Sequence, residues 1–508
     1  MHLINSIQQK NLSNKNNYLF YWNMKKTLFI CLLLLFSDYS LAATSGYDYS
    51  SYSATSTNEN LSSTTKSNTN SDQSVVYITQ SGITISDSTL TKSGETSSDV
   101  EDCEFYGVNA AVLVNGGGLT MTGGTITTSA KGGNALVATN SGTVTISKTT
   151  ITSTGASSAR GLHSTYGGSI TASEVTITTS GGSCATLATD RGEGTVTCTG
   201  CTLTTSGSGS PLIYSTGDIT VSGTEGTANK AQAVVVEGKN TATIKSSSKL
   251  KCTASPNNKN DECGILIYQS MSGDADSGTS TFTCESSSIE ILSSSDYYLS
   301  APMFYITNTE ANVNLNSCTF TYGSNTFLKA DEGGWGSSGS NGGTATFILT
   351  NQDIEGDIIV GSTSSLTINL VNSSIKGTIN GDKTAAKLAI VLDSGSSITL
   401  TGNSYYTSLT NSDSSNSNIN SGSYTWSKYD ESSSSSSPTS SSTTRTRPDR
   451  PDDKPDDSTS SSTTASTTRT TSNTEDDQDE DIEEIETSAT NLSNFNKLLV
   501  FIISALLI

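Results

Sequence analysis

The chain reads as an all-β protein built as a parallel β-helix of about twelve coils, and three features lead there. A phrase recurs between Gly118 and Gly223: Gly118-Leu-Thr-Met-Thr, Gly142-Thr-Val-Thr-Ile, Gly168-Ser-Ile-Thr-Ala, Gly194-Thr-Val-Thr-Cys and Gly217-Asp-Ile-Thr-Val. Counted from Leu119, Val144, Ile170, Val196 and Ile219, the period is 25, 26, 26 and 23 residues. Within each copy apolar residues alternate with Thr or Ser, the two-residue period of a strand with one buried face. A third short segment follows each copy (Ala135-Leu-Val-Ala, Leu162-His-Ser, Thr186-Leu-Ala, Leu212-Ile-Tyr), and no helical pattern supplies a crossover. Two or three short strands per period of this length describe one coil of such a solenoid.

Composition agrees with this reading. Only 32% of the 508 residues are hydrophobic and 6% aromatic, too few for a large globular core but enough for thin stacked coils. The formal charge of -21 argues against a nucleic-acid partner, which needs clustered Lys and Arg. With two histidines in the whole chain, His-based metal chemistry is nearly excluded, and neither a metal nor a cofactor is expected.

Taken in order, Met24-Lys-Lys-Thr-Leu-Phe-Ile-Cys-Leu-Leu-Leu-Leu-Phe is a basic start followed by an apolar run, and Ser40-Leu41-Ala42 offers small residues for cleavage. Residues 1–42 are therefore expected to be a secretory signal. Either Met24 is the true start, which sets 1–23 outside the protein, or the signal has a long leading region. Residues 43–74, rich in Ser, Thr, Asn and Tyr, read as a disordered, glycosylated lead-in. Asn60-Leu-Ser and Asn372-Ser-Ser are glycosylation acceptor patterns in a secreted chain. The β-helix is expected over 75–426, its coils opening at Ile83, Leu119, Val144, Ile170, Val196, Ile219, Ala242, Phe282, Val313, Ala345, Leu366 and Leu388. The two long intervals, after Ile83 and after Ala242, predict excursions at Ser97–Phe105 and Ser255–Glu262. Residues 427–487 form a Ser/Thr/Pro-rich and acidic stalk. Residues 488–508 combine small residues at Ser488, a polar spacer and an apolar end, the pattern of a glycosylphosphatidylinositol signal with Ser488 as attachment site. Membrane contact is then through that lipid.

Of nine cysteines, Cys31 falls in the signal, leaving eight in an oxidising compartment. Cys252 and Cys263 bracket the second excursion, and a bridge between them would close its neck. Cys198-Thr-Gly-Cys201 is too isolated for a zinc site and reads as structural. The polar candidates follow the third strand of successive coils. They include His163 and Tyr166; Asp190, Arg191 and Glu193; Tyr214; Glu237 and Lys239; Tyr268 and Gln269; Lys329, Asp331 and Trp335. His163, Tyr214, Tyr268 and Lys329 are expected to share one outward column, where aromatic rings could stack on sugars. The plainer alternative is a set of ordinary turn residues. Asp274-Ala-Asp276 lacks the further spaced acids of a metal loop.

With these repeats, the chain resembles the pectin-lyase-like superfamily of right-handed parallel β-helices, in its adhesin-like surface members. The phrases carrying the resemblance are Leu187-Ala-Thr-Asp-Arg-Gly, Tyr268-Gln-Ser-Met-Ser-Gly-Asp-Ala-Asp and Trp335-Gly-Ser-Ser-Gly-Ser-Asn-Gly-Gly. The resemblance implies a right-handed solenoid and a role in adhesion or in binding cell-wall or other extracellular polysaccharide, or the surface of another cell. The catalytic patterns are missing: no Gly-His-Gly is present, His163 sits in Gly161-Leu-His163-Ser, and no catalytic residue is assigned. Polysaccharide cleavage on the same fold, or a purely structural coat, are the alternatives. A cluster of acids with Arg or Lys on one face would favour cleavage.

Overall fold

A computed structural model describes residues 44–257 and 261–429. The signal region 1–42, the stalk from 430 onward, the anchor signal 488–508 and Ser488 lie outside the described residues.

The described chain is a right-handed parallel β-helix. Each coil contributes one strand to each of three sheets, and every neighbouring pair of strands is parallel and one coil apart. Sheet 1 has twelve strands, from Ala54–Thr57 to Asp357–Val360; sheet 2 has fourteen, from Leu61–Ser62 to Ser408–Asn411. Sheet 3 has ten, from Thr65–Asn68 to Thr319–Thr321, and a four-stranded sheet from Asp353–Glu355 to Ile419–Asn420 follows it in the later coils. Right-handed crossover between parallel strands follows from strand twist.

The alternation fixes the interior. Leu119, Val144, Ile170, Val196, Ile219, Ala242 and Phe282 stack in one column, each pairing with the next, and all are buried. Their Thr neighbours face out, because side chains on a strand alternate between faces. From Thr309–Asn316 onward the strands of sheet 2 lengthen, so Val313 pairs with Phe347 and Ala345 with Ala311. The expected opening positions Val313 and Ala345 are thus two residues apart in register, which leaves both inside the rod.

Four expectations are corrected. The array does not begin at 75: Ala54–Thr57, Leu61–Ser62 and Thr65–Asn68 form a first coil on which Ser74–Ile78, Ile83–Ser86 and Thr89–Lys92 pair. The segment 43–74 looks polar because an end coil has one neighbour, and of the segment's buried residues Leu61, Ser56, Asn68 and Ser74 only Leu61 is apolar. With this coil and the last, sheet 2 counts fourteen strands rather than twelve. The rod also continues past 426 through Trp426–Lys428 to Tyr429, whose hydroxyl donates to the Ala385 carbonyl at 2.6 Å. Finally, Cys252 and Cys263 are not bridged. Cys252 points into the rod interior, while Cys263 lies in a cluster with Val235, Leu266, Tyr268 and Tyr305 on the outer face of sheet 1, so the sheet separates the two thiols. The disulfides join Cys198 to Cys201 and Cys284 to Cys318. The former bears out the structural reading of Cys198-Thr-Gly-Cys201.

Candidate functional site

The excursion after Ile83 carries the short helix Val100–Phe105, capped by Asp99, which lies over the outer face of sheet 1. A second excursion, residues 269–278, leaves sheet 1 after Ile265–Tyr268 and reaches back toward earlier coils. The long interval after Ala242 is thus shared between the expected excursion near 255–262 and this loop. Together the two excursions divide the sequence candidates into buried clusters and an open groove.

His163 and Asp190 are buried beneath the helix. His163 Nε2 lies 2.6 Å from the Glu104 carbonyl oxygen, to which it donates. Arg160 pairs with Asp190 at 2.5 Å and with Glu104 at 3.3 Å. Burial alone would lower the Arg160 pKa, but Glu104 and Asp190 raise it, and the guanidinium stays charged. One cation cannot neutralise two carboxylates. Burial pushes Asp190 up to about 7, Arg160 opposing this and Glu104 adding to it. Burial, with the Arg160 charge, pushes His163 down to about 3.

These two groups act on stability in opposite senses. Between about pH 4 and 7 folded Asp190 keeps a proton that the unfolded chain has released, so its contribution falls as pH rises. Between about pH 3 and 6.5 folded His163 lacks a proton that the unfolded chain has bound, so its contribution rises with pH. Measured against the parent chain, Asp190→Asn is therefore expected to gain thermal stability as pH increases through the first window. His163→Gln is expected to lose it, relative to the parent, through the second. Parallel pH profiles in both variants would contradict the assignment.

A second cluster centres on Glu237, which is 1% exposed. Tyr214 and Tyr268 both donate to its Oε2, at 2.8 and 2.6 Å. Trp335 packs on Tyr268 with ring centroids 5.0 Å apart, and Lys329 Nζ sits 4.8 Å from the centre of the Tyr305 ring. Register places His163, Tyr214 and Lys329 in one outward column through Ala188, Val235, Leu266 and Tyr305. Tyr268 stands two residues further along, opposite Glu237. The expected single column of exposed rings is thus corrected on two counts. Tyr268 is out of line, and His163, Asp190 and Tyr268 are covered by the excursions and by each other.

Arg191 lies in an open groove, together with the candidates Tyr166, Glu193 and Lys239. Its Nε is 3.4 Å from Asp274 of the reaching-back loop, and its guanidinium carbon lies 3.9 Å from the centre of the Phe105 ring. Lys239 bridges Glu193 at 2.7 Å and Asp276 at 2.9 Å. The hydrogen bonds it donates to Glu193 and Asp276 raise its pKa, so it stays a cation. The groove, of about 860 Å³, follows the corner between sheets 1 and 2 across Gly194, Thr195, Gly217 and Asp218. Its walls hold Arg191 and Lys239 against Glu193, Asp218, Asp274 and Asp276, two cations among four carboxylates. Burial raises the Asp218 pKa.

Tyr166 stands at one end of the groove. A side chain at Gly192, whose φ is +72°, would run into its ring. Tyr166 stacks on Tyr106 at 5.9 Å and Tyr106 on Tyr47 at 4.8 Å, a row of half-buried rings leading away from the groove. Tyr166, Glu193 and Lys239 were legible as residues following a third strand. Asp274 and Asp276 were set aside as a failed metal loop, because no local signal says that a loop returns to a coil 83 residues earlier. Among the described residues, no group of three or more His, Cys, Asp or Glu side chains is arranged to hold a metal ion.

The glycosylation candidates are both exposed. Asn60 Oδ1 accepts from the Thr84 amide at 2.8 Å, and Asn372 Nδ2 donates to Asn351 at 2.7 Å. No family model matches the chain, and neither does any curated protein or solved structure.

Proposed function

We propose that this is a cell-surface, adhesin-like β-helix protein whose groove between Tyr166 and Asp276 holds a polysaccharide chain. The observation carrying the reading is the groove itself, which crosses successive coils and is lined by charged and hydroxyl side chains and by the Tyr166 ring. Hydroxyl-rich ligands suit paired donors and acceptors of this kind, and a ring platform suits the apolar face of a sugar. Carboxylates outnumber cations there, which favours a neutral or amino-bearing glycan over a polyuronate. The sequence patterns at 1–42 and 488–508 support secretion and lipid anchoring for the same reading, and the exposed Asn60 and Asn372 support glycosylation. Membership of the pectin-lyase-like superfamily belongs to this proposal too, resting on coil architecture and the quoted phrases alone.

The test is a polysaccharide array probed with the full chain and with Arg191→Ala and Tyr166→Ala. Binding of a neutral or amino-sugar polymer by the parent, weakened by about 1–3 kcal/mol in each variant, is expected. A parent chain that binds nothing would favour the structural-coat reading. Cleavage in the same groove is a second reading, favoured by the meeting of Arg191 and Lys239 with four acids. New reducing ends appearing when the bound polymer is incubated with the protein would establish it.

A further inference from the structure

The outer face of sheet 3 carries a feature that the groove does not use. Five successive strands, Thr89–Lys92, Thr125–Thr128, Thr150–Ser153, Thr176–Thr179 and Thr202–Thr205, each present two threonines outward. Register aligns them without a bulge: Thr89, Thr125, Thr150, Thr176 and Thr202 in one column, and Thr91, Thr127, Thr152, Thr178 and Thr204 in the next. The columns continue at one end as Glu225 with Lys249 and as Thr227 with Lys251, so the uncharged patch stops where charges begin. In a chain of net charge -21 these ten positions hold none. All ten are exposed or half-exposed, and among the described residues no side-chain hydrogen bond engages their hydroxyls.

This is a planar lattice of identical groups. Strand spacing sets one repeat at roughly 4.8 Å, and the two-residue step along a strand sets the other at roughly 7 Å. The β-branched side chain restricts χ1, so neighbouring methyls and hydroxyls repeat in the same orientation with little entropy left to lose. A flexible glycan or a folded partner gains nothing from such periodicity, but a crystal face does, because many weak contacts then fall into register together. Ice exposes rows of water oxygens at nearly these two spacings, and its lattice is uncharged and offers both donors and acceptors. We propose that the threonine face of sheet 3 binds ice, with its hydroxyls taking lattice positions and its methyls sitting between them. The site is independent of the groove.

The full chain frozen slowly into a growing ice front is expected to partition into the ice, and to inhibit recrystallisation of small ice grains. Thr176→Tyr, which raises a ring above the centre of the lattice, should lose most of that inhibition while keeping its far-ultraviolet circular dichroism. Asn312→Tyr, a ring added on the outer face of sheet 2 outside the threonine column that runs through Thr171, should keep both. Exclusion of the parent chain from ice would overturn the proposal. So would full activity in Thr176→Tyr, or equal loss in the two variants. Retention on crystalline cellulose or chitin without retention in ice would overturn it in favour of a crystalline polysaccharide.

Discussion

Replacing Val196 by Asp is expected to unfold the central coils, at a cost of several kcal/mol even after relaxation. Val196 is fully buried, between Ile170 on one side and Ile219 on the other. Neither neighbour can hydrogen-bond the new carboxylate, and the interior around them is the one continuous apolar cluster of the rod. Each coil depends on its neighbours for burial, so the damage spreads along the array. Thr197, one residue on, faces outward, and Thr197→Asp should stay within about half a kcal/mol of the parent. Thermal unfolding of the two variants checks the assignment. Similar losses at 196 and 197 would mean the inward and outward faces are wrongly assigned.

The second large effect is expected at Arg160. Arg160→Met removes the cation that pairs with both Glu104 and Asp190, leaving the half-buried Glu104 carboxylate and the buried Asp190 carboxyl without it. Breaking a buried pair from one side costs about 3–5 kcal/mol, because the remaining charge is uncompensated. The helix Val100–Phe105 should loosen first, since Glu104 ties it to Arg160 and Ser158. Adding Glu104→Gln and Asp190→Asn to Arg160→Met removes the uncompensated charge and should recover most of the loss. A triple variant no more stable than Arg160→Met would show that packing of the arginine stem, rather than charge, is what the site requires.

The rod itself was legible because its signal is local and repeated. Each glycine-led phrase of alternating apolar and Thr or Ser residues states strand, face and register at once, and a one-residue slip would turn Val196 out and Thr197 in. The end coils were harder to read. Leu61 and Ser62 carry the whole apolar signal of one two-residue strand, and a sequence window cannot separate that from a disordered segment. The site was half legible. Arg191, Glu193 and Lys239 lie beside the repeat and could be placed by counting coils. What covers His163 and what faces Arg191 depend on excursions whose landing points follow from tertiary contacts. Phe105 lies over Arg191, and Asp274 pairs with it across three coils. The thiols show the same limit: Cys252 and Cys263 are near in sequence, yet strand alternation and the coil corner send them to opposite sides of sheet 1.

On the proposed function, a glycan sits in the groove built by Arg191, Lys239 and the returning loop. Amide hydrogen exchange of the full chain, with and without the polysaccharide that scores highest on the array, tests this placement most directly, because protection maps where backbone opening is suppressed. The account predicts slowed exchange in residues 190–194, 238–241 and 270–278 together, with no change on the threonine face of sheet 3. Protection elsewhere on the rod, or tight binding with these three segments unchanged, would contradict it.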